Sequence, residues 1–134
     1  MRVFVDSSAV AALLLNNDRN HNEAVEVLRR LTEARAELVL SNFVVAETYN
    51  LVAARTYPAK AREWLLGNTW PIERIAARDE KRAREIIEKY VDKDFSYTDA
   101  TSFALMERLG FDIAFTYDRH FEQYGLATQK GLRF

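Results

Sequence analysis

Two short apolar runs constrain the fold of this chain most. One is Val3-Phe4-Val5 near the amino terminus, and the other extends from Ile113 to Tyr117. Both runs are continuous rather than alternating, which is typical of a strand that is buried on both faces. Between them, apolar residues recur at helical spacing. Strands of this kind separated by helices predict an α/β sandwich around a mostly parallel sheet of four to five strands, flanked by helices.

Capping residues and apolar periodicity place the individual elements. We predict strands at Arg2 to Val5, Glu37 to Leu40, Ile72 to Ala76 and Asp112 to Tyr117, and a last short strand in the tail from Leu126. We predict helices from Ser7 or Ser8 to about Asn16, after an Asn20 cap, from Ser41 or Asn42 to about Arg55, from Pro58 to Gly67, from Asp79, and from a Thr98 cap to Gly110. The second helix should bury one face formed by Ala24, Val25, Leu28 and Leu31.

Composition limits the class of protein. A chain of 134 residues that is 49% hydrophobic predicts a single domain over 1–134. No cysteine is present, which excludes a disulfide, a thiolate zinc site and a cysteine nucleophile, and fits a cytoplasmic location. No apolar run approaches the roughly 20 residues that span a bilayer, and no secretory signal is visible, so we expect no membrane association. The net charge of -1 means that any nucleic-acid binding needs a local basic patch or a partner.

Four carboxylates stand at the borders of these apolar elements. Asp6 and Asp118 directly follow the two buried strands, Asp99 opens a helix, and Glu47 lies inside an apolar helix. Side chains at the carboxyl ends of parallel strands converge at one edge of the sheet, where open α/β folds place their sites. A bound cation would relieve the repulsion among them, and Mg²⁺ prefers oxygen ligands. His120 stands near Asp118, but we interpret it as structural and leave it out of this set.

Each acid also has a simpler explanation. Asp6 can cap a helix, although Ser7 or Ser8 would cap equally well, and Asp99 can serve the dipole of a first helical turn. Asp118 can be a turn residue, and Glu47 can form a salt bridge with an arginine two turns later, at position 55. These four explanations are independent of one another. One shared site explains all four positions together.

The chain resembles the PIN-domain family, and within it the small VapC-type toxins of toxin–antitoxin pairs. The matching segments are FVDSSAVAALL at 4–14, SNFVVAETYNLV at 41–52, SYTDATSFALMERLG at 96–110 and FTYDRHFEQYGL at 115–126. They stand in the order that the family shows. The resemblance implies a PIN-like three-layer sandwich that forms a nuclease domain. Residues 56–95 match no motif of the family, and we expect the choice of substrate and partner to reside there.

The resemblance implies a metal-dependent endoribonuclease that hydrolyses RNA. One or two Mg²⁺ or Mn²⁺ ions would be held by the four acids, with Asp6 and Asp99 as the direct ligands, and with Glu47 and Asp118 as ligands or as orienters through water. The small hydroxyl residues of the family map to Ser7 and Thr116, which would hold the carboxylates by hydrogen bonds. The resemblance also implies an antitoxin protein as partner, and a homodimer around which a segment of the antitoxin wraps.

Three alternatives remain to be weighed. A receiver-like, Mg²⁺-binding signalling module would carry paired acids after the first strand and a lysine after a late one, but Ser7-Ser8 and Tyr117-Asp118 stand there. A phosphatase of the haloacid class would carry an aspartate at position 8, which is serine. A degenerate PIN domain that only binds RNA or acts as a scaffold is disfavoured by the presence of all four acids. Metal-dependent cleavage by the purified protein decides between that scaffold and an enzyme.

Overall fold

A parallel sheet of four strands forms the centre of the protein in the computed structural model, which describes residues 1–133; Phe134 lies outside the described residues. The strands are β1 (Arg2–Val5), β2 (Glu37–Ser41), β3 (Ile72–Glu73) and β4 (Ile113–Phe115). Their spatial order is β3-β2-β1-β4, and every neighbouring pair is parallel. The α/β architecture predicted from the sequence is therefore confirmed.

Helices connect and flank these strands. They are α1 (Ser7–Leu14), α2 (His21–Glu33), α3 (Asn42–Arg55), α4 (Pro58–Gly67), α5 (Ala77–Lys89), α6 (Tyr97–Leu109) and α7 (His120–Tyr124). A 3₁₀ helix at Gln129–Gly131 follows α7. Within residues 1–133, none of the helices has both the length and the apolar character needed to cross a membrane.

The sheet register brings the ends of β1 and β4 to the same level. Val5 pairs with Phe115 across the two strands, and the backbone N–H of Asp6 donates to the Phe115 carbonyl at 3.0 Å. On the other side of β1, Phe4 pairs with Val39 of β2. Each of the central strands is therefore followed by a turn or a helix start at one common edge. This edge is where polar side chains can meet.

Aromatic rings fix α7 against α6. The Phe103 ring of α6 meets Phe121 edge-on with ring centroids 5.0 Å apart, and it stacks on Tyr124 at 4.5 Å. Phe121 is fully buried and also approaches Phe4 of β1. Burying a large apolar side chain contributes about 1.5–3 kcal/mol. The short helix is thus held rigidly, and so is the chain that leads into it from β4.

Two strand predictions were too long. The strand predicted to extend to Ala76 ends at Glu73, because the N–H of Ile75 donates to Asn42 Oδ1 and the N–H of Ala76 donates to Asp79 Oδ2, both at 2.8 Å. The second bond caps α5, which begins at Ala77 rather than at Asp79. β4 stops at Phe115 instead of reaching Tyr117, since the chain then leaves the ladder.

The tail forms one parallel bridge, between Ala114 and Thr128, instead of the short strand expected in the tail from Leu126. The side chain of Gln129 then replaces a strand neighbour for Thr116. Its Oε1 accepts the Thr116 N–H at 3.0 Å, and its Nε2 donates to the Thr116 carbonyl at 2.8 Å. The buried amide of Gln129 thereby pins the chain just beyond β4.

Two helix details also differ from the prediction. Val25 is 46% exposed and does not belong to the buried face of α2, whereas Val27 is buried there. Ser96, not Thr98, caps α6: its Oγ accepts the Asp99 N–H, and Asp99 Oδ2 accepts the Ser96 N–H in return, each at 3.0 Å. Gly110, which was predicted to end this helix, has the left-handed conformation with φ 67°.

Candidate metal centre

Hydrogen bonds and one further close contact connect the acidic residues at the sheet edge. Asp6 at the end of β1 is bonded to Thr116, Thr116 is bonded to Asp118, and the ring of His120 joins Asp118 to Asp99. Glu47 of α3 is tied to the same edge by Ser7, the residue after Asp6. The structure therefore brings together all four acids that the sequence singled out.

Asp6 is buried, with 2% of its surface exposed, and is held by hydroxyl groups. Its Oδ2 accepts from Ser8 Oγ at 2.8 Å, from Thr116 Oγ1 at 3.0 Å and, at 3.4 Å, from the Ser8 N–H. Asp6 is the N-cap of α1, so the expectation that Ser7 or Ser8 would cap this helix is wrong. Asparagine caps about as well as aspartate, so capping alone does not require the charge.

Ser8 is a site residue that the sequence analysis missed. Besides bonding Asp6, its Oγ lies 3.2 Å from Thr116 Oγ1 and accepts the Tyr117 N–H at 2.9 Å. A signal for it exists, because an N-cap side chain is directed at the second or third helical residue, and Ser8 is the second residue of α1. Thr116, which was predicted to support the acids, does so through two bonds: it donates to Asp6 and accepts the Asp118 N–H at 2.9 Å.

Ser7 serves a different carboxylate from its neighbour. Its Oγ donates to Oε1 of Glu47, which lies in the second turn of α3. The arginine that offered a simpler explanation of Glu47 instead pairs with another acid: Arg55 Nη1 lies 3.0 Å from Asp18 Oδ2. Glu47 is therefore partly buried with a neutral donor as its partner rather than a cation.

Asp99 and Asp118 are bridged by the ring of His120. The Nδ1 atom lies 2.8 Å from Asp99 Oδ2 and 3.2 Å from Asp118 Oδ1. Asp118 Oδ1 also accepts the backbone N–H of His120 at 2.9 Å. The three side chains form a group whose ligand-type atoms lie within 4.8 Å of one another. His120 is thus part of the site, in contrast to the sequence interpretation that left it outside the set.

The hydrogen bonds occupy one oxygen of each aspartate and leave the other without a donor. Oδ2 of Asp6, Oδ2 of Asp99 and Oδ1 of Asp118 take all of the bonds, whereas the second oxygen of each accepts none from residues 1–133. Carboxylate oxygens of this kind are the donors that Mg²⁺ and Mn²⁺ select. The donor set therefore fits a hard divalent cation.

The electrostatics of the group indicate unbalanced negative charge. Burial raises the pKa of Asp6 to about 7, and the charges of Glu47 and Asp99 add to that rise, while the Ser8 and Thr116 hydroxyls oppose it. Burial, together with the charges of Asp99 and Asp118, also raises the pKa of Glu47, against the Ser7 and Thr98 hydroxyls. Within the described residues, no lysine or arginine pairs with any of the four acids. A bound divalent cation would balance these negative charges.

Comparisons with known proteins agree with the resemblance seen in the sequence. The family model described as PIN domain matches residues 3–126. Two relatives from Mycobacterium tuberculosis are each 32% identical: the 23S rRNA-specific endonuclease VapC20 over 92% of this chain and 94% of its own, and the ribonuclease VapC26 over 89% of both.

Solved structures show the same fold. The crystal structure of VapC20 from Mycobacterium tuberculosis, described as a sarcin-ricin loop cleaving toxin, matches with a TM-score of 0.82 and 29% identity over 93% of this chain and 96% of that one. VapBC2 from Rickettsia felis matches with a TM-score of 0.72 at 13% identity over 96% and 97% of the two chains, which shows the fold alone. Together with the family model that covers most of its length, these similarities show that the chain belongs to the PIN-domain family.

Proposed function

We propose that the protein is a metal-dependent endoribonuclease that hydrolyses RNA phosphodiester bonds. The observation that carries this proposal is the cluster of four acids at the sheet edge. Hydroxyl groups and the His120 ring hold these acids, and no lysine or arginine of residues 1–133 pairs with them. Three members of the cluster each present one carboxylate oxygen that accepts no hydrogen bond from the described chain. The relatives VapC20 and VapC26, which are named as an endonuclease and a ribonuclease, support the same chemistry.

The residues of the cluster would have distinct roles in metal binding. Asp6 and Asp99 would hold Mg²⁺ or Mn²⁺ directly through their free oxygens, and Glu47 and Asp118 would complete the site directly or through water. When bound, the ion supplies a water of lowered pKa and a positive charge for a phosphate oxygen. Ser8 and Thr116 fix Asp6, while Ser7 fixes Glu47. These hydroxyls keep the carboxylates from rotating toward solvent.

The substrate that we propose is a structured RNA. VapC20 is named for action on 23S rRNA, and its structure is described as cleaving the sarcin-ricin loop, so an RNA with that loop is the first substrate to test here. Arg119 is exposed and stands between Asp118 and His120. It would contact the RNA backbone without reading its sequence.

We further propose that the chain is the toxin of a type II toxin–antitoxin pair that acts in the cytoplasm as a homodimer with an antitoxin partner. The similarity to VapC proteins supports this assignment. Expression of the chain alone should arrest growth, and the arrest should require Asp99. Arrest that persists unchanged in Asp99→Asn would point to a cause other than nuclease action. Purified protein that is a monomer in solution would contradict the proposed homodimer.

Cleavage of a purified RNA tests the enzyme directly. The RNA carries a sarcin-ricin-type loop, and cleavage is followed with Mg²⁺, with Mn²⁺ and with a chelator. We expect cleavage with either metal and none with the chelator. Asp79→Asn is the matched control, because Asp79 is also a buried helix-start acid but lies outside the cluster, paired with Arg108. Cleavage that continues in chelator would contradict the metal requirement. No cleavage by a protein that binds metal would favour the non-catalytic RNA-binding alternative.

A further inference from the structure

His120 occupies a position that a packing residue alone does not explain. It is the first residue of α7, and its ring lies between two carboxylates that come from separate parts of the chain. Nδ1 is within hydrogen-bond distance of Asp99 in α6 and close to Asp118 in the turn after β4, at 2.8 and 3.2 Å. The side chain is 19% exposed, so most of the ring is enclosed by protein.

The surroundings hold the imidazole in place. The Phe95 ring packs edge-on against it, with ring centroids 5.5 Å apart and an interplanar angle of 73°. The backbone N–H of His120 is engaged by Asp118 Oδ1, and the next residue, Phe121, is buried against Phe103. The ring is therefore fixed both at its backbone and along its edge before any ligand binds.

The hydrogen-bond partners indicate which ring nitrogen carries a proton. Asp99 Oδ2 already accepts the Ser96 N–H at 3.0 Å, and Asp118 Oδ1 already accepts the His120 N–H. A carboxylate oxygen is an acceptor, so a ring nitrogen that approaches both must be a donor. Without a hydrogen, the Nδ1 lone pair would face two negative charges. Nδ1–H therefore donates to Asp99 Oδ2, with Asp118 Oδ1 as a second acceptor.

We infer that His120 is a positioning residue of the metal centre: its Nδ1–H locks the Asp99 and Asp118 carboxylates in one relative orientation, which would leave the free oxygen of each available to a metal ion. This inference rests on the proposed metal-dependent function and adds a residue to it. Partners that orient metal ligands in this way are worth about 10–100-fold in metal affinity or activity. Direct ligation of the metal through Nδ1 is the rival role, and it is an outcome of the test below.

Three substitutions separate donor position from ring packing. His120→Phe keeps a ring against Phe95 but removes the donor. His120→Asn places an amide nitrogen on Cγ, as Nδ1 is in histidine, and His120→Gln places it one bond further out, near the Nε2 position. We expect His120→Phe and His120→Gln to lower the Mn²⁺ affinity about 10–100-fold, measured by calorimetry without RNA, and His120→Asn to recover most of the loss.

Several results would overturn the inference. Equal Mn²⁺ affinity in wild type and His120→Phe would exclude a positioning role for His120. A His120→Asn variant that binds Mn²⁺ as weakly as His120→Phe would exclude it as well. Electron spin echo modulation of the Mn²⁺-loaded wild type should show no directly bonded nitrogen; strong ¹⁴N coupling would make His120 a ligand instead. Wild type that binds no Mn²⁺ would overturn the metal centre itself, whereas binding that the variants leave unchanged would overturn only the role of His120.

Discussion

Two buried aspartates of this protein differ in the partners that surround the carboxylate. Asp6 and Asp79 are each 2% exposed, and both stand at a helix start. Asp79 forms two bonds with the Arg108 guanidinium, at 2.7 and 2.8 Å, and accepts the Ala76 N–H. Within residues 1–133, the donors to the Asp6 carboxylate are all neutral, and Asp6 shares its edge of the sheet with three further acids. Solvent exposure is the same in the two places, but Asp6 lies deeper in the protein, and Asp79 has a cation as its partner.

The pKa values of these two groups move in opposite directions. Burial would raise the pKa of Asp79, but the hydrogen bonds from Arg108 and Ala76 more than offset it and hold that pKa below its ordinary value. Burial raises the pKa of Asp6 to about 7, and the Ser8 and Thr116 hydroxyls, rather than a cation, oppose this rise. The Asp79 region is complete by itself and serves stability. The function proposed for the Asp6 region supplies the missing cation as a bound metal ion.

The largest expected effect is the loss of catalysis in Asp6→Asn. The amide keeps the helix cap and can still accept from Ser8 and Thr116, but it removes a charged metal ligand. We expect RNA cleavage to fall below detection while the circular dichroism spectrum stays that of wild type. Cleavage within a few-fold of wild type under the same Mg²⁺, as judged by gel assay, would exclude Asp6 from the site.

The second prediction concerns Asp79, where removal of the charge should cost stability rather than activity. Asp79→Asn removes the buried partner of a half-buried ion pair and leaves Arg108 without its counter-charge. We expect a loss of about 1–3 kcal/mol in the free energy of unfolding, measured in urea, with cleavage per folded molecule unchanged. In the metal-free state at neutral pH, Asp6→Asn should shift the unfolding midpoint the other way. If both variants are destabilised by the same amount, Asp6 and Asp79 do not differ in how the protein balances their charge.

The pH dependence of metal-free stability sharpens the same contrast. The pKa of Asp6 is raised from 3.8 to about 7, so between these values the folded protein holds a proton that the unfolded chain has released. Stability should therefore fall as pH rises through this window, by up to about 4 kcal/mol, and stay lower above it. Asp6→Asn should lose this decline. Unfolding curves in chelator across the window test it, and identical slopes for the two proteins would contradict it.

A smaller effect is expected where a hydroxyl supports an acid. Ser7→Ala removes the donor to Glu47 and should weaken Mg²⁺ binding by about tenfold, the lower end of the range for orienting partners. Thr48→Val is the control on α3, because the buried Thr48 hydroxyl has no hydrogen-bond partner in the described residues. That change should leave metal binding unchanged and should not lower stability. Equal Mg²⁺ affinities for the two variants, measured by calorimetry, would show that Ser7 does not support the metal site.

The sequence singled out the four acids, and the family resemblance named Ser7 and Thr116 as hydroxyls that support them, but Ser8 and His120 were missed for a physical reason. Asp6 and Asp118 follow buried strands, and the apolar runs alone reveal that. Adjacent helical residues point about 100° apart, so sequence could not tell that Ser7 reaches Glu47 while Ser8 reaches Asp6.

Contacts between residues that are distant in the sequence could not be predicted, because they depend on tertiary packing. His120 joins the site only because packing of the following residue on α6 turns its ring toward Asp99. Gln129 replaces a strand neighbour of Thr116 through its side chain, which no strand pattern encodes. The strand and helix types were predictable from periodicity, whereas element ends depended on such individual side-chain bonds.

The central claim is that the four acids form one metal site, and Mg²⁺-dependent unfolding tests it most directly. Wild type, Asp79→Asn and the carboxamide variants Asp6→Asn, Glu47→Gln, Asp99→Asn and Asp118→Asn are melted with chelator and with Mg²⁺ at neutral pH. At about a hundredfold excess over its Kd, Mg²⁺ should stabilise wild type and Asp79→Asn by about 2.7 kcal/mol. The stabilisation should shrink in each of the four cluster variants. Equal stabilisation of all six proteins by Mg²⁺ would show that these carboxylates do not form one metal site.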